Sequence, residues 1–129
     1  MPNLKYSGSK GVVQSTGSGQ FHVSGVGVAH DVESIDLDAD KSAKSFGVTL
    51  VTDSDAVGRV LTVPNPVTVE DAAGQQKLVV LTGAAGNGHC TVKNAADDDI
   101  VGAPLTTAND YALLVWTGTT WTCVAEVTT

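Results

Sequence analysis

The stretch Tyr111-Ala-Leu-Leu-Val-Trp116-Thr-Gly118-Thr-Thr-Trp121-Thr-Cys-Val124 predicts a β-hairpin and decides the fold class of the chain. Its two apolar runs are joined by a short turn, in which Gly118 supplies a backbone conformation that other residues resist. Trp116 and Trp121 flank this turn, where aromatic rings either pair across the strands and cover a core or stack on a sugar ring. Pairing is favoured, because the second half of the chain has almost no other large side chain to close a core.

The remaining sequence predicts a single all-β domain. A chain of 129 residues with 5% aromatic residues must build its core from Val, Leu, Ile and Ala. Short apolar runs alternate with turn residues from position 46 onward, which favours short antiparallel strands in a sandwich, barrel or β-solenoid-like module over a βαβ fold. The predicted strands are 46–52, 59–63, 67–70, 77–82, 90–93, 105–107, 111–116 and 120–127.

Residues 1–45 are predicted to form an extended Gly/Ser-rich arm, and residues 46–129 the β-rich oligomerisation module. The first 30 residues carry too little apolar surface to fold alone, so they form either a flexible tail or an arm that docks on another surface. Alternation at 20–24 and 26–29 favours the docking arm. The candidate docking residues are Leu4, Tyr6, Phe21 and Val23.

The charge of the chain argues against nucleic acid as a partner. Fourteen acidic residues outnumber seven basic ones, giving a formal net charge of −7, and the basic residues are dispersed in sequence. The sequence starts without an apolar signal segment and contains no run of 18 apolar residues, so we expect a soluble product made in the cytosol, without membrane contact.

The acidic segment around residue 36 is predicted to be a solvated strand face and not a metal site. Asp36, Asp38 and Asp40 have the spacing that begins a calcium loop, but Lys41 and Gly47 stand where an EF-hand needs glycine and glutamate. The histidines are too far apart in sequence for a familiar metal spacing: His22, His30 and His89. We therefore expect no metal and no cofactor.

Catalytic motifs are not evident either, so we expect a protein that is not an enzyme. The loop Gly83–Gly88 lacks the lysine of a phosphate-binding loop and runs into another strand, which predicts a hairpin loop. His89 and Cys90 are adjacent on a strand and point to opposite faces, so they do not form a nucleophile pair. Free core thiols are favoured for Cys90 and Cys123, with a disulfide as the main alternative.

Residues 46–126 resemble a small β-module of tailed-bacteriophage virion proteins. The resemblance rests on Val60-Leu-Thr-Val-Pro, on Gly74-Gln-Gln-Lys-Leu-Val-Val-Leu and on the final hairpin, where Thr117-Gly118 stands in place of the common Asp-Gly. The segments Val48-Thr-Leu and Thr91-Val also fit, whereas residues 1–45 do not match.

The resemblance implies a capsid-decoration or head-fibre protein, a homotrimer on the outer capsid surface whose partners are its own copies and the major capsid protein. The arm would then attach the protein to the particle. The expected core or oligomer-interface residues are Leu113, Val115, Trp116, Trp121 and Val124. The alternative is a tail-fibre or receptor-binding tip that stacks Tyr111, Trp116 or Trp121 on a host glycan.

Overall fold

A computed structural model of the protein describes residues 3–7, 11–16, 31–66 and 73–129, and in these ranges the chain forms strands and turns but no helix. The all-β prediction is therefore confirmed for the described residues. The strands are β1 (Asn3–Ser7), β2 (Gly11–Thr16), β3 (Val32–Asp36), β4 (Lys41–Ser42), β5 (Gly47–Asp53), β6 (Gly58–Val63), β7 (Gln76–Ala84), β8 (His89–Asn94), β9 (Tyr111–Trp116) and β10 (Trp121–Val127). The strand predicted at 67–70 lies outside the described residues.

The ten strands form three sheets. β1 and β2 make a two-stranded antiparallel sheet of their own. The larger sheet has five strands in the order β10-β9-β7-β5-β3, and the third has three strands in the order β4-β6-β8. Neither of these two sheets closes into a barrel within the described part of the chain.

From β3 to β8, successive strands alternate between the five-stranded and the three-stranded sheet, and their pairing within each sheet is parallel. The prediction of antiparallel strands is wrong for this part of the chain. Parallel neighbours need a long crossover connection instead of a tight turn. Here each crossover is itself a strand of the opposite sheet, so short turns suffice. We call the consecutive pairs β3–β4, β5–β6 and β7–β8 rungs.

The core lies between the five-stranded and three-stranded sheets and is built from aliphatic side chains, as the composition predicts. Side chains alternate along each strand, so that one set is fully buried and the next set faces outward. Fully buried aliphatic residues come from both sheets and from the connections: Leu37, Val51, Leu61, Val63, Val79, Leu81, Leu105, Ala112 and Leu114.

The predicted C-terminal hairpin is confirmed. β9 and β10 pair antiparallel with Trp116 opposite Trp121, and the turn closes with a hydrogen bond from the Thr117 amide to the Thr120 carbonyl, 2.9 Å. Gly118 has a φ of 104°, a left-handed conformation that favours glycine. The predicted strand at 105–107 is absent, since Leu105 makes only an isolated bridge with Cys90.

Residues 31–45 pack with the module, although the sequence groups them with the arm. β3 pairs with β5, and Leu37 and Ala43 belong to the core cluster. Gly47 makes this approach possible, because a Cβ there would lie 2.2 Å from the Asp31 carbonyl oxygen and its φ is +72°. The described residues contain no helix long and apolar enough to cross a bilayer.

Candidate functional site

The two tryptophans lie in the core beside the hairpin turn. Their ring centroids are 5.4 Å apart with planes at 65°, an edge-to-face geometry, and their exposed fractions are 8% for Trp116 and 3% for Trp121. The Trp121 indole also donates to the Pro64 carbonyl at 2.9 Å. Since both rings are enclosed, neither offers a free face on which a sugar ring can stack.

The other three residues of the predicted interface set lie away from the core. Leu113 and Val115 alternate with the buried residues of β9 and remain partly exposed on its outward side. Val124 is 56% exposed and lies at a β-bulge of the edge strand β10. The predicted set therefore divides into a buried pair of tryptophans and three surface residues.

The outward side of the five-stranded sheet carries two cross-strand rows of mostly apolar residues, which we call the outer face. The register aligns the first row as Val32, Val48, Leu78, Leu113 and Ala125. It aligns the second row as Ser34, Leu50, Val80, Tyr111 and Val127. Neither row contains a charged side chain. Nine of the ten residues present carbon-rich side chains to the surface.

A lysine lies inside the core at the start of β7. The Lys77 side chain is 0% exposed, and its ammonium donates to the Phe46 carbonyl at 3.0 Å and lies 3.4 Å from a Glu33 carboxylate oxygen. Burial lowers the pKa of Lys77, and the nearby Glu33 charge opposes that shift. The ammonium joins β7 to β3 across β5, so it ties the first rung to the third.

Glu33 is held ionised by its neighbours. Burial alone raises its pKa, but hydrogen bonds from the Thr49 hydroxyl and the Lys44 amide, together with the Lys77 charge, outweigh that effect and lower it. Both donors reach the same carboxylate oxygen at 2.6 Å. These contacts of the carboxylate are internal to the fold, which indicates a structural ion pair.

A buried acid, Asp53, ends β5. It is 1% exposed, and its Oδ2 has no hydrogen-bond partner within the described residues. Burial raises the pKa of Asp53, and the adjacent Asp55 carboxyl raises it further. Asp55 in turn forms an ion pair with Arg59, which lowers the pKa of Asp55. The close fit continues at Gly88, where a Cβ would lie 2.7 Å from the Asp53 carboxyl carbon.

A second buried acid, Asp110, organises the corner before β9. Its Oδ2 accepts hydrogen bonds from the amides of Thr106, Thr107 and Thr129 at 2.9, 3.0 and 3.1 Å, and its Oδ1 accepts one from the Thr129 hydroxyl at 2.6 Å. Burial raises the pKa of Asp110, but these donors overcome that effect and lower it to about 2. The carboxylate thus fastens the segment after β10 to the corner before β9.

The cysteines are free thiols in the structure, as favoured from the sequence. Cys90 is buried, which raises its pKa to about 12, so it is not a reactive thiolate at neutral pH. The Gly83–Gly88 loop is not a hairpin loop, because β7 and β8 belong to different sheets. It turns the chain from the five-stranded sheet to the three-stranded one, where β8 pairs in parallel with β6.

The acids of the calcium-like spacing have separate partners. Asp36 accepts hydrogen bonds from the Ser54 amide and hydroxyl at 3.2 and 2.7 Å, and Asp40 accepts one from the Val60 amide at 2.9 Å. Asp38 pairs with Lys41 at 2.6 Å. Among the described residues, no group of three or more His, Cys, Asp or Glu side chains is arranged to hold a metal ion.

The predicted arm residues divide between described and undescribed positions. Leu4 and Tyr6 lie in β1, where they pair with Gln14 and Val12 of β2. Phe21 and Val23 lie outside the described residues, as do His22 and His30. His89 begins β8, with its ring Nδ1 3.3 Å from the Asn87 carbonyl.

Sequence reasoning did not find the three buried charged residues, Lys77, Asp53 and Asp110. A signal for Lys77 was present, since it stands two residues before Val79 in a strand and so shares its inward side. Asp53 likewise stands two residues after Val51 and shares its inward side, but it ends β5 next to turn residues, where acids are ordinarily solvated. Asp110 lies before β9 and has no such spacing signal.

Comparison with known proteins gives no relative of this chain: no protein-family model matches it, and no curated protein matches it. The fold and the residues described above therefore carry the functional argument alone.

Proposed function

We propose that this protein is a capsid-decoration or head-fibre protein of a tailed bacteriophage, with a structural role and no catalytic step. The rungs and the terminal hairpin form a short β-solenoid-like module, which self-associates as a homotrimer. The N-terminal arm attaches it to the major capsid protein on the outer surface of the shell. Such a protein acts by binding adjacent capsid subunits and stabilising their assembled state by mass action.

The observation that carries the proposal is the separate pairing of β1 with β2. These strands pair with each other, whereas β3 to β10 build the two sheets around the core. A lone two-stranded hairpin is only marginally stable in water. Docking on a larger surface would stabilise such a hairpin, and a capsid presents many identical copies of such a surface.

The buried polar groups fit a structural role. The Lys77–Glu33 pair and the Asp110 carboxylate have hydrogen-bonding partners within the fold, which supports a structural role for these groups. The glycan-binding alternative is weaker because Trp116 and Trp121, two of its three aromatic candidates, are enclosed in the core.

The proposal is tested by co-sedimentation of the purified full-length chain with expanded heads of a tailed phage that encodes it. Saturable binding at fixed stoichiometry per capsid subunit is expected. Tyr6→Asp and Leu4→Asp should weaken binding about tenfold or more, since each replaces a large side chain proposed to dock by a charge that must be desolvated. Ser7→Asp is the matched control for an added charge on β1.

Two results would count against the proposal. Heads that take up no protein would remove the decoration function. Binding that survives Leu4→Asp and Tyr6→Asp unchanged would move the attachment from the arm to the module. A glycan array probed with the wild-type chain and with Tyr111→Ala examines the tail-fibre alternative separately.

A further inference from the structure

We infer that the outer face of the five-stranded sheet is the surface through which copies of this chain contact one another. This inference rests on the self-association included in the proposed function, and it names the residues that make the contact. Its occupant is the outer face of a second copy of the same chain.

The two sheets of the module differ on their outward sides. The outward residues of the three-stranded sheet are mostly polar: Ser42, Val60, Thr62, Thr91 and Lys93. The outer face of the five-stranded sheet is almost wholly apolar, and β7 and β9 also turn mostly apolar residues inward, with Lys77 as the exception. Strands with two apolar sides are typical of sheets that are covered on both faces. One face covers the core, and the outer face therefore requires a second covering layer.

The charge distribution favours a copy of the chain as that layer. The chain carries a net charge of −7, so contact between most parts of two copies is opposed by repulsion. The two rows of the outer face contain no charged residue, and copies that meet there bring no like charges together at the centre of the contact. Charge depletion at an apolar centre, with charges at the rim, is the composition of a protein interface. Asp36 lies at such a rim position, one row beyond Ser34 on β3.

The size of the outer face suits the centre of a contact between copies. Its two rows span five strands about 4.8 Å apart and about four residues of each strand at about 3.3 Å per residue, which is roughly 300 Å² in projection. A standard interface takes about 800 Å² of accessible surface from each partner. The outer face provides about a third of that in projection, and side-chain relief and the surrounding rim add to it. Two such sheets stack at about 10 Å, which fills the space between them with side chains.

The test compares matched valine substitutions on the two sheets, made in the full chain. Val80 lies in β7, the central strand of the five-stranded sheet, and Val60 lies in β6, the central strand of the three-stranded sheet. Mass is measured by sedimentation equilibrium and light scattering across a concentration range, against the chain mass of 13.1 kDa. Far-UV circular dichroism and urea unfolding establish that each variant is folded.

The wild type and Val60→Glu should have the mass of more than one chain. A mass of three chains supports the homotrimer as well, whereas a mass of two chains supports the contact surface and refutes the trimer. Val80→Glu and Val80→Lys should both dissociate to single chains, with association weakened roughly a hundredfold or more, because either charge must be desolvated in the contact. The lysine variant separates this effect from a general increase in negative charge. Should both charged variants fail to fold, the isosteric Val80→Thr should weaken association while keeping the fold.

A monomeric wild type would overturn the inference, whether the face is then covered by another part of the chain or open to solvent. Val80 variants that remain as associated as Val60→Glu would overturn it too. Capsid co-sedimentation is a separate measurement. Suppose that heads bind neither the wild type nor the variants, while the wild type still has a higher mass than the Val80 variants. That result would refute the decoration function but leave the inferred contact surface supported.

Discussion

Replacing Asp110 by asparagine should remove a pH-dependent part of the stability. The carboxylate accepts four hydrogen bonds from Thr106, Thr107 and Thr129, and its pKa falls from 3.8 to about 2. One pKa unit corresponds to about 1.4 kcal/mol, so the ionised form stabilises the fold by about 2 kcal/mol relative to the protonated form. Asparagine keeps the shape and one acceptor but loses the charge, which gives Asp110→Asn an expected cost of about 2 kcal/mol at neutral pH.

The sign of the pH dependence follows from the depressed pKa. The stabilisation is fully present above the ordinary pKa of 3.8 and disappears as pH falls through that value towards about 2. The difference in free energy of unfolding between wild type and Asp110→Asn should therefore be constant from pH 7 to pH 5. By the same linkage it should shrink to roughly half near pH 3.

Urea unfolding at pH 7, 5, 4 and 3, followed by tryptophan fluorescence, measures this difference directly. With a slope of about 2 kcal/mol per molar urea, the expected midpoint shift at pH 7 is about 1 M. The control is Asp99→Asn, an exposed acid 3.7 Å from Lys93, which should change stability by less than about 0.5 kcal/mol. The reasoning would be refuted if the difference in unfolding free energy between wild type and Asp110→Asn stayed the same from pH 7 to pH 3.

Three further substitutions examine other parts of the core by the same unfolding assay. Lys77→Met should destabilise less than Glu33→Gln, because the Glu33 carboxylate is partly exposed and keeps its hydrogen bonds from Thr49 and the Lys44 amide. Glu33→Gln should cost several kcal/mol, since it leaves a fully buried ammonium without its counter-charge; equal effects would contradict the ion-pair argument. Asp53→Asn should stabilise the protein at pH 7, because burial raises the pKa of Asp53 and the ionised carboxylate is therefore unfavourable in the fold. This gain in stability should vanish on acidification, when the wild-type carboxyl becomes protonated. A loss of stability at pH 7 would contradict the prediction. Trp121→Ala should cost about 3 to 5 kcal/mol, because it empties a core position and frees the Pro64 carbonyl; a cost below about 1 kcal/mol would show that the ring is not a core residue.

The strands were predictable from the sequence, whereas their pairing was not. Period-two alternation and turn residues located β5, β6, β7, β8, β9 and β10 to within about two residues, because side-chain direction and turn chemistry are local properties. The antiparallel expectation was correct for β9 with β10, whose turn is short. The antiparallel expectation was wrong for the pairing between rungs. Some short loops carry the chain from one sheet to the other, and these loops use the same turn residues as the loops of hairpins.

The composition of the hairpin predicted a core role for Trp116 and Trp121, and both rings are buried. The charged core residues were not predictable in the same way. Lys77 is buried because Glu33, 44 positions earlier in the chain, lies within reach across β5. Such pairs depend on register between distant strands, which a single sequence does not determine.

The parallel rungs set a demanding order of folding. β3 pairs with β5, and β5 with β7, through residues that are distant along the chain, as Gly47 and Lys77 illustrate. The hairpin of β9 and β10 is local, with Trp116 opposite Trp121, so it closes at little entropic cost. We expect it to be the template on which β7, then β5, then β3 add. β3 precedes β5, β7 and the hairpin along the chain. On this route the first rung therefore stays unpaired during synthesis until the hairpin exists.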